Sequence, residues 1–150
     1  MRIEIDPAVR RRLKTELRWS GRREIGGVLM GEQLAAGHFR VIDLSIDTIT
    51  GSAAHFVRSE AEHVAALHDF FERTGGDYAR YNYLGEWHSH PSFRVRPSET
   101  DVGSMTDLVE GERNITFAAL LIVRLDMWLH LRHSISLFVR GQPPQMIHMS

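Results

Sequence analysis

The chain has 150 residues, of which 43% are hydrophobic, and its formal net charge is -1 at pH 7. This length and composition suit one globular domain, and the charge gives no reason to expect nucleic acid or an anionic membrane as a partner. The absence of cysteine excludes disulfides, thiolate metal ligands, a cysteine nucleophile and the zinc deaminases, whose signature needs cysteine.

The hydropathy pattern carries no apolar leader at the N-terminus and no stretch long enough to cross a membrane. We therefore expect a soluble, cytoplasmic protein. We also find no internal repeat, no low-complexity tract and no linker, so we expect residues 1–150 to form one domain.

Helix caps and alternating apolar residues define the first half of the chain. Asp6 before Pro7 is a common helix start, and Ser59 with Glu62 has the pattern of a capping box. A change of phase within the second long strand indicates a bulge or a bend. The predicted elements are a strand over residues 1–5, a helix over 7–19, strands over 25–31 and 39–49, and a helix over 60–73 with an apolar stripe of Val64, Leu67, Phe70 and Phe71.

Strands dominate the second half. An aromatic segment from Tyr81 reads as a strand that Pro91 terminates, because proline cannot donate to a strand ladder. The elements that follow are a helix from Ser98 to about Glu110 and strands over 115–123, 127–131, 134–139 and 146–148. This order predicts an α/β fold with one mixed, largely antiparallel sheet flanked by helices.

Two histidines near the end of the aromatic strand have the spacing of metal ligands. His88 and His90 lie two residues apart, and on a strand such side chains point to the same face. Ser98 is a candidate helix N-cap, which places Asp101 in the first turn of the helix. Two imidazoles and one carboxylate leave one coordination position for water, the pattern of a catalytic zinc.

Each part of this pattern also has an ordinary structural explanation. Ser98 and Asp101 match a capping box, and a histidine pair on a strand can be two hydrogen-bonded side chains. Their combination favours metal binding. The other histidines show no ligand spacing, and we interpret them as structural or exposed. They are His38, His55, His63, His68, His130, His133 and His148.

The segment resembles the JAMM motif of the JAB/MPN metalloprotease family, which is H-x-H-x7-S-x2-D with a glutamate upstream. His88, His90, Ser98 and Asp101 match its spacing, and Glu24, followed by Gly-Gly and an aliphatic strand, matches the upstream element. The resemblance spans most of the chain and implies a JAB/MPN-like domain with a curved sheet and a Zn2+ cofactor.

The resemblance also assigns roles to residues that spacing alone leaves open. It implies that Glu24 is the general base and acid and that Ser98 stabilises the oxyanion. By spacing alone Glu86 is a rival base, because it lies two residues before His88 and shares its face. Arg94 and Arg96 are either exposed loop residues or contacts to the substrate tail.

The implied function is a zinc metallopeptidase that hydrolyses amide or isopeptide bonds. Members of the family commonly remove or process ubiquitin-like modifiers, and some compact prokaryotic members act beside E1- and E2-like enzymes. Two alternatives stay open: a hydrolase that releases an amino acid or thio-adduct from a small carrier or metabolite, and a non-catalytic scaffold of the same fold.

Overall fold

A computed structural model describes residues 1–47 and 60–149 of the chain. In these ranges seven strands form one sheet, and three helices accompany it. The strands are β1 (Arg2–Ile5), β2 (Gly26–Ala35), β3 (His38–Leu44), β4 (Tyr81–Ser89), β5 (Phe117–Asp126), β6 (His130–Val139) and β7 (Gln145–Met149), and the helices are α1 (Pro7–Ser20), α2 (Glu60–Arg73) and α3 (Glu99–Gly111).

The strand order across the sheet is β1-β3-β2-β4-β5-β6-β7. The β1–β3 and β4–β5 pairs are parallel and the other four pairs are antiparallel. The predicted α/β fold with a mixed, largely antiparallel sheet is therefore confirmed. None of the helices among the described residues is long and apolar enough to cross a membrane.

The helix caps follow the sequence signals. The Asp6 carboxylate accepts a hydrogen bond from the Ala8 amide (2.8 Å), and α1 ends at Ser20, where Gly21 forms the C-cap with a positive φ of 60°. The predicted bulge is also confirmed. Val41 pairs with Gly31 and Asp43 with Met30, so β3 carries one extra residue between them.

Several predicted boundaries are wrong. The strand β6 runs unbroken, whereas two strands were expected, because Met127 and Trp128 have positive φ and form the turn of the β5–β6 hairpin. The first of the two long strands, β2, extends four residues further than expected, to Ala35. The strand β3 ends at Leu44, and Ser59 of the expected capping box lies outside the described residues.

The apolar stripe of α2 is only partly as predicted. Phe70 is buried, but Val64 is 64% exposed. The buried position is taken by His63, whose Nδ1 lies 2.6 Å from the Ser45 hydroxyl on the sheet side. A polar partner just past the end of β3 thus allows His63 to be buried where the pattern predicted the neighbouring valine.

The two faces of the sheet carry separate cores. On one face, α1 packs Leu13 and Leu17 against residues that include Trp87. On the other, α3 packs Met105 and Val109. Successive β5 residues alternate between the two cores, which explains why the central strand is a continuous apolar run. The histidine pair reaches the α3 side at the end of β4.

Gly85 allows β4 and β5 to approach. A Cβ at this position would lie 1.9 Å from the carbonyl oxygen of Ala119, so a side chain must push the two strands apart. We expect Gly85→Ala to lower the free energy of unfolding by about 1–3 kcal/mol, as overpacking does. Urea unfolding measures this change.

The matched control is Gly103→Ala in α3, where an added Cβ meets no atom within 4 Å. Alanine is the better helix former, so this variant should be as stable as the wild type or up to about 1 kcal/mol more stable. Equal unfolding midpoints for the two variants would contradict the steric argument.

Candidate metal centre and active site

The end of β4 orients the histidine pair. The His90 amide donates to the carbonyl of Val123 on β5 (2.9 Å), and the His90 Nδ1 lies 2.9 Å from the carbonyl oxygen of Arg94. A carbonyl only accepts hydrogen bonds, so Nδ1 carries a proton, and in the neutral ring Nε2 then offers its lone pair to a metal. The Nε2 atoms of His88 and His90 are 3.1 Å apart and face the same point.

Asp101 brings its carboxylate to this point while it caps α3. Its Oδ2 accepts a hydrogen bond from the Ser98 amide (2.7 Å), and its own amide donates to the Ser98 hydroxyl (3.1 Å). Its Oδ1 and Oδ2 lie 3.2 and 3.5 Å from the Nε2 atoms of His88 and His90. The Asp101 carboxylate therefore belongs both to the capping box and to the ligand cluster, and the cap orients it toward the histidines.

The donor set suits a divalent metal. Ligand atoms of His88, His90 and Asp101 all lie within 4.8 Å of one another. Two neutral imidazole nitrogens and one carboxylate oxygen match the ligands of a catalytic zinc, with one position open. The hydrogen bond from His90 Nδ1 to a carbonyl is the outer contact that metal-bound histidines usually make.

The side chains of His88, His90 and Asp101 also form an ion-pair cluster. Burial disfavours the Asp101 carboxylate, but hydrogen bonds from His88 and His90 outweigh it and hold the pKa of Asp101 well below its usual range. Burial likewise opposes protonation of His90, yet the contacts with Asp101 and the Arg94 carbonyl, with the charge of Glu24, raise the pKa of His90 above its usual value.

Glu24 enters the same cavity from the start of β2. Gly26 pairs with His88, and a Cβ on Gly26 would lie 2.4 Å from the Trp87 carbonyl oxygen and 2.8 Å from the His88 Cβ. Only glycine permits this approach, and it brings Glu24, two residues earlier, beside the histidines. Glu24 is 6% exposed.

The cavity has a volume of about 990 Å³. All five predicted site residues line it, and so do Glu86, Arg94 and Arg96. Glu86 is half-buried, whereas Glu24 is buried. The predicted site residues are Glu24, His88, His90, Ser98 and Asp101.

Sequence reasoning missed part of the cavity wall. Phe93 is 50% exposed, its ring packs edge-on at 6.1 Å from that of His90, and it lines the cavity with Leu120. An aromatic residue in the polar loop after Pro91 was the signal available for Phe93. Leu120 gave no signal, because it is one residue in a long apolar run.

Among the described residues, His88 and His90 are the histidines that line this cavity. His133 is buried against the ring of His148, and burial with the charges of Arg10 and His148 lowers the pKa of His133 to about 4. His133 is thus neutral at pH 7. His38 contacts Glu4, and His55 lies outside the described residues.

The chain is similar to known proteins in sequence and in fold. The profile of the family described as prokaryotic homologs of the JAB domain matches residues 6–134. The chain is 33% identical to the "CD-NTase/cGAS isopeptidase" of Vibrio cholerae serotype O1 over 109 residues. The aligned segment covers 71% of this chain and 65% of that protein. The chain therefore spans somewhat less than two thirds of the length of this curated relative.

The fold also has a counterpart among solved structures. The solution structure of a protein from Desulfitobacterium hafniense superposes with a TM-score of 0.70 at 19% sequence identity. The match covers 97% of this chain and 90% of that one. At this identity the likeness concerns the fold alone.

The ion-pair cluster predicts how the stability of the metal-free protein depends on pH. Because the pKa of Asp101 is lower in the folded than in the unfolded chain, the ionised carboxylate stabilises the fold at pH values above its ordinary pKa of 3.8. This contribution is lost as the pH falls through the folded-state pKa. Because the pKa of His90 is higher in the folded chain, the protonated ring stabilises the fold at pH values below its ordinary pKa of 6.5. This contribution is lost as the pH rises through the folded-state pKa. The cluster should therefore contribute most between about pH 4 and 6.5.

Asp101→Asn tests this window, because asparagine keeps the size and a capping oxygen but loses the charge. We expect the free energy of unfolding of chelator-treated wild type to exceed that of the variant by about 1–3 kcal/mol in the window. The difference should shrink on both sides. If the free energies of unfolding of the two proteins, measured by denaturant titration, ran parallel across this pH range, the ion-pair cluster would contribute nothing to the pH dependence of stability.

Proposed function

Since the chain belongs to the family of prokaryotic homologs of the JAB domain, we propose that it is a zinc-dependent metallopeptidase of the JAMM type. Its reaction is the hydrolysis of an amide or isopeptide bond. The observation that carries the proposal is the convergence of His88, His90 and Asp101 in a cavity that Glu24 also lines.

In this proposal His88, His90 and Asp101 hold the metal. Zn2+ bound there would lower the pKa of a coordinated water to about 7 and polarise the scissile carbonyl. Glu24 accepts the proton of the attacking water and returns it to the leaving amine. Its burial beside the two histidines keeps it within the cavity where this exchange takes place.

Ser98 stabilises the oxygen on which negative charge develops. Its oxygen accepts the hydrogen bond from the Asp101 amide, which orients the side chain at the start of α3. The hydroxyl proton can then be donated to the oxyanion. The group that caps the helix therefore also faces the substrate.

The proposed substrate is a protein carrying a ubiquitin-like modifier, with E1- and E2-like enzymes as partners in the same pathway. The isopeptidase name of the Vibrio cholerae relative supports a modified-protein substrate. Arg94 and Arg96 line the cavity as exposed side chains, and we propose that they contact the substrate tail. The proposed compartment is the cytoplasm, where the implied conjugating enzymes act.

The choice of base is tested by two matched substitutions. Glu24→Gln should reduce kcat by about 10²-fold or more, because it removes the proton acceptor, while one zinc per chain stays bound. Glu86→Gln should leave kcat within a few-fold of the wild type. Rates on a lysine-linked isopeptide and zinc analysis measure both; the reverse pattern would assign the base to Glu86.

Removal of the metal tests the reaction class. The protein should bind one Zn2+, lose hydrolysis after chelation and regain it on zinc addition, and His88→Ala should lose both binding and activity. A modifier fusion should be cleaved faster than a short isopeptide. Equal rates would favour a small-molecule or carrier substrate, and a wild type without bound zinc or activity would favour a scaffold.

A further inference from the structure

Ser89, the residue between the two histidines, points to the opposite face of the sheet. It is 1% exposed. Its hydroxyl oxygen accepts a hydrogen bond from the Ile25 amide (3.0 Å), and its own amide donates to the Ile25 carbonyl (2.8 Å). Ser89 therefore holds both backbone groups of Ile25, which is itself completely buried.

The first of these bonds acts on the peptide unit that follows Glu24. The strand β2 begins at Gly26, so the Ile25 amide precedes the ladder and is held by a side chain. A peptide unit is planar, and fixing the direction of its N–H limits the rotation of the whole plane. The Cα of Glu24 belongs to that plane, so the Ser89 hydroxyl restricts where the Glu24 side chain begins.

We infer that Ser89 is a positioning residue that keeps the Glu24 carboxylate at a fixed place relative to His88 and His90. Successive side chains of a strand point to opposite faces of the sheet. His88 and His90 therefore lie on one face, and Ser89 between them lies on the other, where it contacts Ile25. The inference rests on the proposed function, because it assumes that Glu24 is the base.

A second serine makes the same pair of bonds further along β2. The Ser45 hydroxyl accepts from the Val28 amide (2.9 Å), and the Ser45 amide donates to the Val28 carbonyl (3.0 Å). Ser45 is also buried, and it additionally contacts His63. It lies outside the candidate site, so it separates a local effect on Glu24 from a general loss of stability.

The experiment compares zinc-loaded Ser89→Ala and Ser45→Ala. Both should lower the urea midpoint, since each leaves a buried amide without its acceptor. Only Ser89→Ala should reduce kcat on a lysine-linked isopeptide, by about tenfold to hundredfold, with KM within about twofold, because a misplaced base slows proton transfer without altering binding. Zinc affinity, measured by competition with a chromogenic chelator, should stay within about threefold.

Two further measurements test the role of the Ser89 hydroxyl directly. Ser89→Thr retains the hydroxyl and should recover most of kcat; if Ser89→Ala does not fold, Ser89→Cys, with its weaker acceptor, takes its place. Hydrogen exchange at the Ile25 amide should accelerate in Ser89→Ala and stay slow in Ser45→Ala, whatever the activity.

The outcomes separate the two proposals. An active wild type with normal kcat in Ser89→Ala, or equal losses of kcat in both alanine variants, overturns the positioning role alone. A large loss of zinc affinity in Ser89→Ala also overturns it, because Ser89 would then act on the ligands. A zinc-loaded wild type that hydrolyses neither peptide nor fusion overturns the proposed function.

Discussion

The structure of the site depends on the close approach of β2 and β4 at Gly26 and His88. A side chain at Gly26 would collide with the Trp87 carbonyl and the His88 side chain, so glycine is required for the strands to pair there. This pairing joins two distant segments of the chain. It places the acidic residue that precedes β2 beside the two imidazoles that end β4.

The second constraint is the double use of the α3 capping box. Asp101 satisfies the Ser98 amide as any N3 acidic residue would, and the same carboxylate contacts both histidines. A buried carboxylate needs hydrogen bonds and compensating charge, and the cap supplies one part while the imidazoles supply the other. Because the cap limits the rotation of the side chain, the cluster is organised by the fold itself.

The two faces of β4 have different roles in the site: one carries the candidate ligands, and the other carries buried polar contacts to neighbouring segments. His88 faces the α3 side, where the cavity lies, while Trp87 and Ser89 face the α1 side. The indole N–H of Trp87 donates to the Ser45 carbonyl (2.8 Å), and Ser89 holds Ile25. The ligand-bearing strand is thus tied to its neighbours from behind by buried polar contacts, which are costly to break in a core.

Local patterns in the sequence determined a large part of this description. The shared face of His88 and His90, the Asp6 cap and the overall α/β order followed from strand period and cap chemistry, which act over a few residues. Only the tertiary structure decided that His63 is buried where Val64 was expected, that the hairpin turn lies at Met127 and Trp128, and that Glu24 is the buried one of the two candidate bases. The burial of His63 and Glu24 depends on contacts between residues far apart in the chain, such as Ser45 with His63 and Gly26 with His88, and spacing along one segment does not contain them. The turn is formed by two non-glycine residues with positive φ, a conformation that their residue types do not predict.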